Sequence, residues 1–378
     1  MRTIKRMLAL LLCLVLLASP SALAAEEIRP GEGVLNPDEL QSLLENYISR
    51  HGQNPDHISV GYVYTETGET WYYNPDAWYY SASMYKVPLM MLFAQMEARG
   101  EINRDTEYLG TTFGYLEDSI LIRSNNDFAH AMMVQIAPTE PDCRDLYKQF
   151  ADLPDDYYID DFRNYSYFTA RFMTQVMTTL YTQNERFPHV IDCLLEAQPG
   201  EYFRTRIDEY EIAQKYGSLQ ERNGTNNNHV AGIIYTPHPF ILVVMTENDP
   251  LPFTTLGELA RVFTDFTVET VDPRFEALEA QREAERLDAE ENARLAAAAA
   301  ATPEAAQPAI AVSETPAPAA AQPEEPAAEP AVQTAQPAPS VPAAQTTAQN
   351  SVLRIYVLIG AAVLLLVCIL LRRLTRRR

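Results

Sequence analysis

The chain has 378 residues and a formal charge of −22 at pH 7. So acidic a polypeptide is not a nucleic-acid binder, and the charge, spread along the chain, reads as solubility. Between the terminal segments, about 240 residues from Asn36 to Val271 suffice for one domain with a sizeable core.

Residues 1–24 have a basic start, an apolar run from Met7 to Leu17 and the small-residue site Ala22-Leu23-Ala24, which together read as a cleavable secretory signal. A domain over 25–271 follows. Its first element, NPDELQSLLENYISRH, places Leu40, Leu43, Leu44 and Ile48 on one face of a helix. ISVGYVYTETGETWYYN then predicts a hairpin turning at Glu66-Thr67-Gly68-Glu69. Residues 83 to about 200 favour helices, among them MLFAQMEARG, DFAHAMMVQIA, YFTARFMTQVMTTLYTQ and PHVIDCLLEAQ. Three β-rich runs come next, IAQKYGSL, HVAGIIYT and FILVVMTE, and LGELARVFTDFTVETV closes the domain as a helix. This order predicts an α/β fold of the two-lobed α+β kind: an antiparallel five-stranded sheet built from both chain ends, with an all-helical lobe inserted. A ligand belongs in the groove between the lobes.

Composition changes near Asp272. Residues 272–301 are rich in Glu, Ala and Arg, and Phe275, Leu278, Leu287 and Leu295 are too sparse for a core stripe, so the segment is expected to be a solvated helical stalk. Residues 302–350 are Ala- and Pro-rich, a disordered spacer. Residues 353–371 form an apolar run long enough to span a bilayer, and the basic tail 372–378 places the C-terminus in the cytoplasm. The expectation is a single-pass protein of the cell membrane, held by one C-terminal helix, with its domain outside. Of four cysteines, only Cys143 and Cys193 fall in that domain, where a disulfide and two buried thiols are both open. Oligomeric state is not legible.

Only three lysines follow the signal: Lys86, Lys148 and Lys215. Ser83 and Lys86, in Ser83-Met84-Tyr85-Lys86, are one helical turn apart at the start of the first helix after the hairpin, so hydroxyl and amine share a face. A serine hydroxyl needs a base to become a nucleophile, and a lysine whose pKa is lowered by burial or by another cation can serve. The backbone N–H of Ser83, unpaired at a helix start, can face a developing oxyanion. Further on, Ser124-Asn125-Asn126 precedes an amphipathic helix, and Lys215-Tyr216-Gly217 lies in the first strand after the helical block.

In order and spacing these three elements resemble the S-x-x-K, S-D-N and K-T-G set of class A β-lactamases and penicillin-binding proteins, and the resemblance covers residues 36 to 271. It implies that Ser83 is the acylated nucleophile and Lys86 its base or proton relay. Ser124 would pass a proton to the leaving nitrogen, and Asn126 would hold the substrate's side-chain amide. Lys215 would face the substrate carboxylate, Gly217 would let the substrate backbone lie along the strand, and Ser218 would give the second oxyanion N–H. Tyr216 would border the substrate.

Three positions depart from the family pattern. Asn125 stands for the usual Asp. Tyr216 replaces Thr, so a carboxylate-binding hydroxyl is absent and a ring takes its place. The stretch DLPDDYYIDDFRNYS has no counterpart of the E-x-x-L-N loop whose Glu activates the deacylating water in class A enzymes, and Asp155, Asp156, Asp160 and Asp161 read as solvated loop acids. The expected function is therefore a serine hydrolase acylated by β-lactams or peptidoglycan-type amides, with fast hydrolytic release in doubt. A D-alanyl-D-alanine peptidase or transpeptidase is one alternative; a non-catalytic wall- or β-lactam-binding module, its groove blocked by Tyr216, is another. There is no G-x-S-x-G, and His51, His57, His130, His189, His229 and His238 show no triad pattern and no metal-ligand spacing. No metal and no cofactor is implied.

Overall fold

A computed structural model describes residues 33–220, 226–248 and 251–300. The secretory signal, the Ala/Pro-rich spacer, the apolar C-terminal span and the basic tail lie outside the described residues. Among the described residues no helix is long and apolar enough to cross a membrane.

Helix α1 (Pro37–His51) starts where the Asn36 side chain accepts from Asp38 N and ends at Gly52, whose φ of 62° closes the last turn. Strands β1 (Ile58–Tyr64) and β2 (Glu69–Tyr73) form the expected hairpin. After the helical block come β3 (Ile212–Gln220), β4 (Asn226–Ile234) and β5 (Phe240–Glu247). The sheet order is β2-β1-β5-β4-β3, antiparallel throughout, with Val60 of β1 opposite Val244 of β5. The two ends of the domain thus meet at the β1–β5 pair, as the element order predicts.

Period-two alternation divides the sheet between two cores. Ile58, Val60, Tyr62, Phe240, Leu242 and Val244 pack outward against α1 and helix α9 (Phe253–Phe266), whose Leu256, Leu259, Ala260 and Phe263 form one stripe. Val63, Ala231, Ile233, Ile241, Val243 and Met245 face the helical lobe. Such two-sided burial explains why FILVVMTE reads as a continuous apolar run.

The lobe is assembled around helix α2 (Lys86–Ala98), in which every residue from Lys86 to Gln95 is buried. A helix apolar on all sides must be enclosed on all sides. Around it are α3 (Phe113–Leu121), α4 (Asn126–Ile136), α5 (Glu140–Leu146), α6 (Asp160–Tyr165), α7 (Ala170–Thr182) and α8 (Val190–Leu195). Helix α7 lies under the sheet at Gly61, where an added Cβ would come within 2.0 Å of Thr174 Oγ1.

Two readings are sharpened. Cys143 and Cys193 are both buried free thiols, each near another polar group: Tyr147 Oη for the first and Asp118 Oδ1 for the second. The helix α10 (Asp272–Ala300) does not leave the domain at its first residue. Phe275 packs edge-on against Tyr64, Leu278 is buried, Arg274 makes two bonds of 2.8 Å to Glu39, and Tyr64 Oη donates to Asp272 at 3.1 Å. Beyond that docked turn, Leu287 and Leu295 are exposed, as a solvated stalk requires.

Gly61→Ala is expected to cost about 1–3 kcal/mol by overpacking against α7, read as a lower urea midpoint. Combining it with Thr174→Ala, which removes the clashing hydroxyl, should recover part of the loss.

Candidate active site

Ser83 is in a 3-10 turn, Ala82–Tyr85, that runs straight into α2. The sequence spacing predicts a first helical turn; the structure gives the tighter one. In a 3-10 turn side chains three residues apart eclipse, and Lys86 Nζ accordingly comes to 2.9 Å from Ser83 Oγ. The turn is entered through Ala82, whose φ of 46° is in the left-handed region, a conformation held only by its surroundings.

Those surroundings are specific. The Tyr80 carbonyl accepts from Asn227 Nδ2 and His229 Nε2, both at 3.0 Å. Thr246 N donates to His229 Nδ1 at 3.1 Å, so the ring is the tautomer with its proton on Nε2. Burial lowers the His229 pKa to about 4 and keeps the ring neutral. On the other side, Ser81 N donates to the Ser166 carbonyl at 2.9 Å, and the two hydroxyls are 2.8 Å apart.

The second segment, Ser124-Asn125-Asn126, is shaped by its own residues. Asn125 Oδ1 accepts from Phe128 N at 2.9 Å and caps α4, a role for which its amide serves as well as a carboxylate. Ser124 has φ of 56°, which turns both of its oxygens to Lys86. Lys86 Nζ lies 2.7 Å from Ser124 O, 3.1 Å from Ser124 Oγ and 2.6 Å from Asn126 Oδ1. From β3, Lys215 Nζ reaches Ser124 Oγ at 3.0 Å and the Tyr216 carbonyl at 3.1 Å. Ser124 Oγ is thus held between two amines.

Both lysines are fully buried, and neither forms an ion pair among the described residues. Burial brings the Lys86 pKa down to about 8. That of Lys215 falls well below the ordinary lysine value, through burial first and then through the charge of Lys86. An uncompensated buried amine relieves its desolvation cost by losing a proton, which makes it a base.

Gly217 has a structural function beyond what the motif implies. A Cβ there would stand 2.8 Å from the Ser81 carbonyl, 3.0 Å from Met84 Cγ and 3.2 Å from Ser83 N, so only glycine lets β3 close on the nucleophile turn. Tyr216 is half-buried on the outer core, stacked on Tyr202 with ring centroids 4.7 Å apart, and its ring lies 4.2 Å from Lys215 Nζ. Tyr202 also hydrogen-bonds the Ser218 side chain. Tyr202, Tyr216 and Ser218 thus make one connected strand edge. Tyr202 carries no motif signal, and neither do Asn227 and His229, whose relation to Tyr80 depends on strand register.

Asp155, Asp156, Asp160 and Asp161 are all exposed, and none bonds to Ser83, Lys86 or Ser124. Their loop is tied down elsewhere, by Arg163 to Asp142 and Asp145 and by Arg144 to the carbonyls of Arg163 and Asn164. Among the described residues, one group has metal-ligand spacing: Glu117, Asp118 and Cys193, with donor atoms within 4.8 Å of one another. Arg104 bonds both carboxyl groups, at 2.8 and 2.7 Å, and burial pushes the Glu117 pKa up to about 8.

A sheet joined from both chain ends, a helical lobe and a serine turn between them define the fold of a β-lactamase-like serine hydrolase. The sequence pattern of the β-lactamase enzyme family matches residues 39–127 and 121–266, and the chain belongs to that family. No curated protein matches it. Among solved structures, a β-lactamase from Chitinophaga pinensis is similar over 60% of this chain and 98% of its own, with 14% identity and a TM-score of 0.51. The TLA-3 extended-spectrum β-lactamase is similar over 62% of this chain and 100% of its own, with 14% identity and a TM-score of 0.52. A variant of the last common ancestor of Gram-negative bacteria class A β-lactamase gives 61%, 99%, 16% and 0.50 in the same order. At these identities the likeness is one of fold.

Gly217→Ala should push β3 away from the Ser83 amide. Turnover of an activated ester is expected to slow by about 10²-fold, the effect of a small misplacement at a reacting centre, and overpacking against the turn should cost about 1–3 kcal/mol of stability.

Proposed function

We propose that the chain is an extracytoplasmic, membrane-anchored serine hydrolase acylated on Ser83 by β-lactams or peptidoglycan-like amides. The observation that carries this reading is the 2.9 Å approach of Lys86 Nζ to Ser83 Oγ at a lysine that burial holds near neutrality. In the neutral form Lys86 takes the Ser83 proton as Oγ attacks the amide carbonyl. The Ser83 and Ser218 N–H groups face the oxyanion. Collapse breaks the C–N bond, and the leaving nitrogen takes its proton through Ser124, which Lys86 and Lys215 both touch. Asn126 binds the substrate's side-chain amide. A substrate carboxylate arriving at the strand edge of Tyr216, Gly217 and Ser218 supplies the counter-ion that Lys215 lacks and favours its protonated form. Membrane anchoring rests on the C-terminal apolar run and its basic tail, and export on the N-terminal signal.

Release of the acyl group is slow in this reading, because no loop carboxylate is aimed at the ester. That favours a penicillin-binding-protein-like enzyme over a fast β-lactamase. The test is intact mass of the purified full-length chain after exposure to a penicillin, followed over time. An adduct on wild type that decays measurably over hours, and none on Ser83→Ala, is the expected result. No adduct, or an undiminished one on Ser83→Ala, would sink the reading, and rapid turnover would refute slow release.

A further inference from the structure

Helices α4 and α5 carry a pair of residues in contact that acylation does not use. His130 is on α4 one helical turn after Asn126, the residue whose Oδ1 touches Lys86 Nζ. Residues four apart on a helix share a face, so the imidazole and the Asn126 amide line the same side. The ring lies 5.9 Å from that of Tyr85, the neighbour of Lys86 in the serine turn. Its Nδ1 is 3.0 Å from Glu140 Oε1 on α5. A carboxylate there makes Nδ1 the protonated nitrogen and leaves Nε2 as the acceptor. Glu140 is itself held by Arg144 at 3.3 Å, and Arg144 is the residue that fastens the 151–166 loop through two carbonyls. The His130 side chain is 53% exposed, so water reaches it.

We infer that His130, oriented by Glu140, is the general base for release of the acyl group, occupying with α4 and α5 the function that a loop carboxylate has in class A enzymes. The inference rests on the proposed acylation of Ser83. A water molecule gives a proton to His130 Nε2 as its oxygen attacks the ester carbon. The tetrahedral intermediate then collapses, the C–Oγ bond of Ser83 breaks, and the proton passes from the imidazolium to Ser83 Oγ. Ester and water become acid and free serine, and the imidazole returns to neutral. Glu140 is a positioning residue in this scheme. It fixes the tautomer and stabilises the transient imidazolium, with Arg144 holding the carboxylate in place.

The test follows formation and loss of a penicillin adduct by intact mass in the full-length wild type, His130→Ala and Glu140→Gln. In His130→Ala the adduct should form at the wild-type rate, which also reports an intact site, and be lost about 10²–10⁴-fold more slowly, the usual contribution of a general base. Added imidazole should restore part of the lost rate, which a purely structural residue would not permit. Glu140→Gln should slow loss by less and leave formation unchanged. Unchanged loss in His130→Ala, impaired formation, or slowed loss without imidazole rescue overturns the inference alone. Absence of any adduct on wild type overturns it together with the acylation it rests on.

Discussion

The site depends on one buried amine. Lys86 Nζ has four oxygen atoms within 3.1 Å, from Ser83, Asn126 and both oxygens of Ser124, and no carboxylate bonded to it. An ammonium in that setting bears the cost of desolvation without a counter-ion, and its charge in turn helps lower the pKa of Lys215, which shares Ser124 Oγ. Burial therefore brings the Lys86 pKa down to about 8, which puts a neutral amine able to accept from the Ser83 hydroxyl within reach. The reactivity ascribed to the serine is in this sense a property of the cavity around the lysine.

Much of the fold can be read as support for that cavity. Enclosure of α2 on every side removes Lys86 from water. The left-handed Ala82 and Ser124 aim hydroxyl and carbonyl at Nζ, and each is over-determined by neighbours: Asn227, His229 and Ser166 for the first segment, the Asn125 cap for the second. Gly217 completes the closure by admitting β3 to van der Waals contact with the turn. These supports come from β3, β4, the 151–166 loop and α4, so the site exists only when both lobes are folded together.

The motifs were legible because each is short and depends on local geometry. Ser83 and Lys86 meet through three-residue spacing, and the strands showed as short β-rich runs between turn residues. What escaped the sequence was long-range or subtle. The segment that enters the Ser83 turn is held by contacts from Ser81 and Tyr80 to distant residues, Ser166 and His229. Tyr216 appeared as a missing hydroxyl and a ring able to block the groove, whereas its stacking on Tyr202 depends on the segment before β3. Phe275 and Leu278 looked too sparse for a core, yet two apolar residues and one Arg–Glu pair are enough to seat a single helical turn. His130 carried no triad signal, because its partner Glu140 is on the next helix and the pattern is spatial.

The central claim, that burial makes Lys86 a base, is open to direct measurement. Isotope-labelled lysine side chains can be followed by NMR across pH, and the few lysines of the chain make assignment by Lys86→Arg and Lys215→Arg feasible. A resonance of Lys86 titrating with an apparent midpoint of about 8 is the expected result. A Lys86 that stays protonated up to the ordinary lysine value of about 10.4 would contradict it.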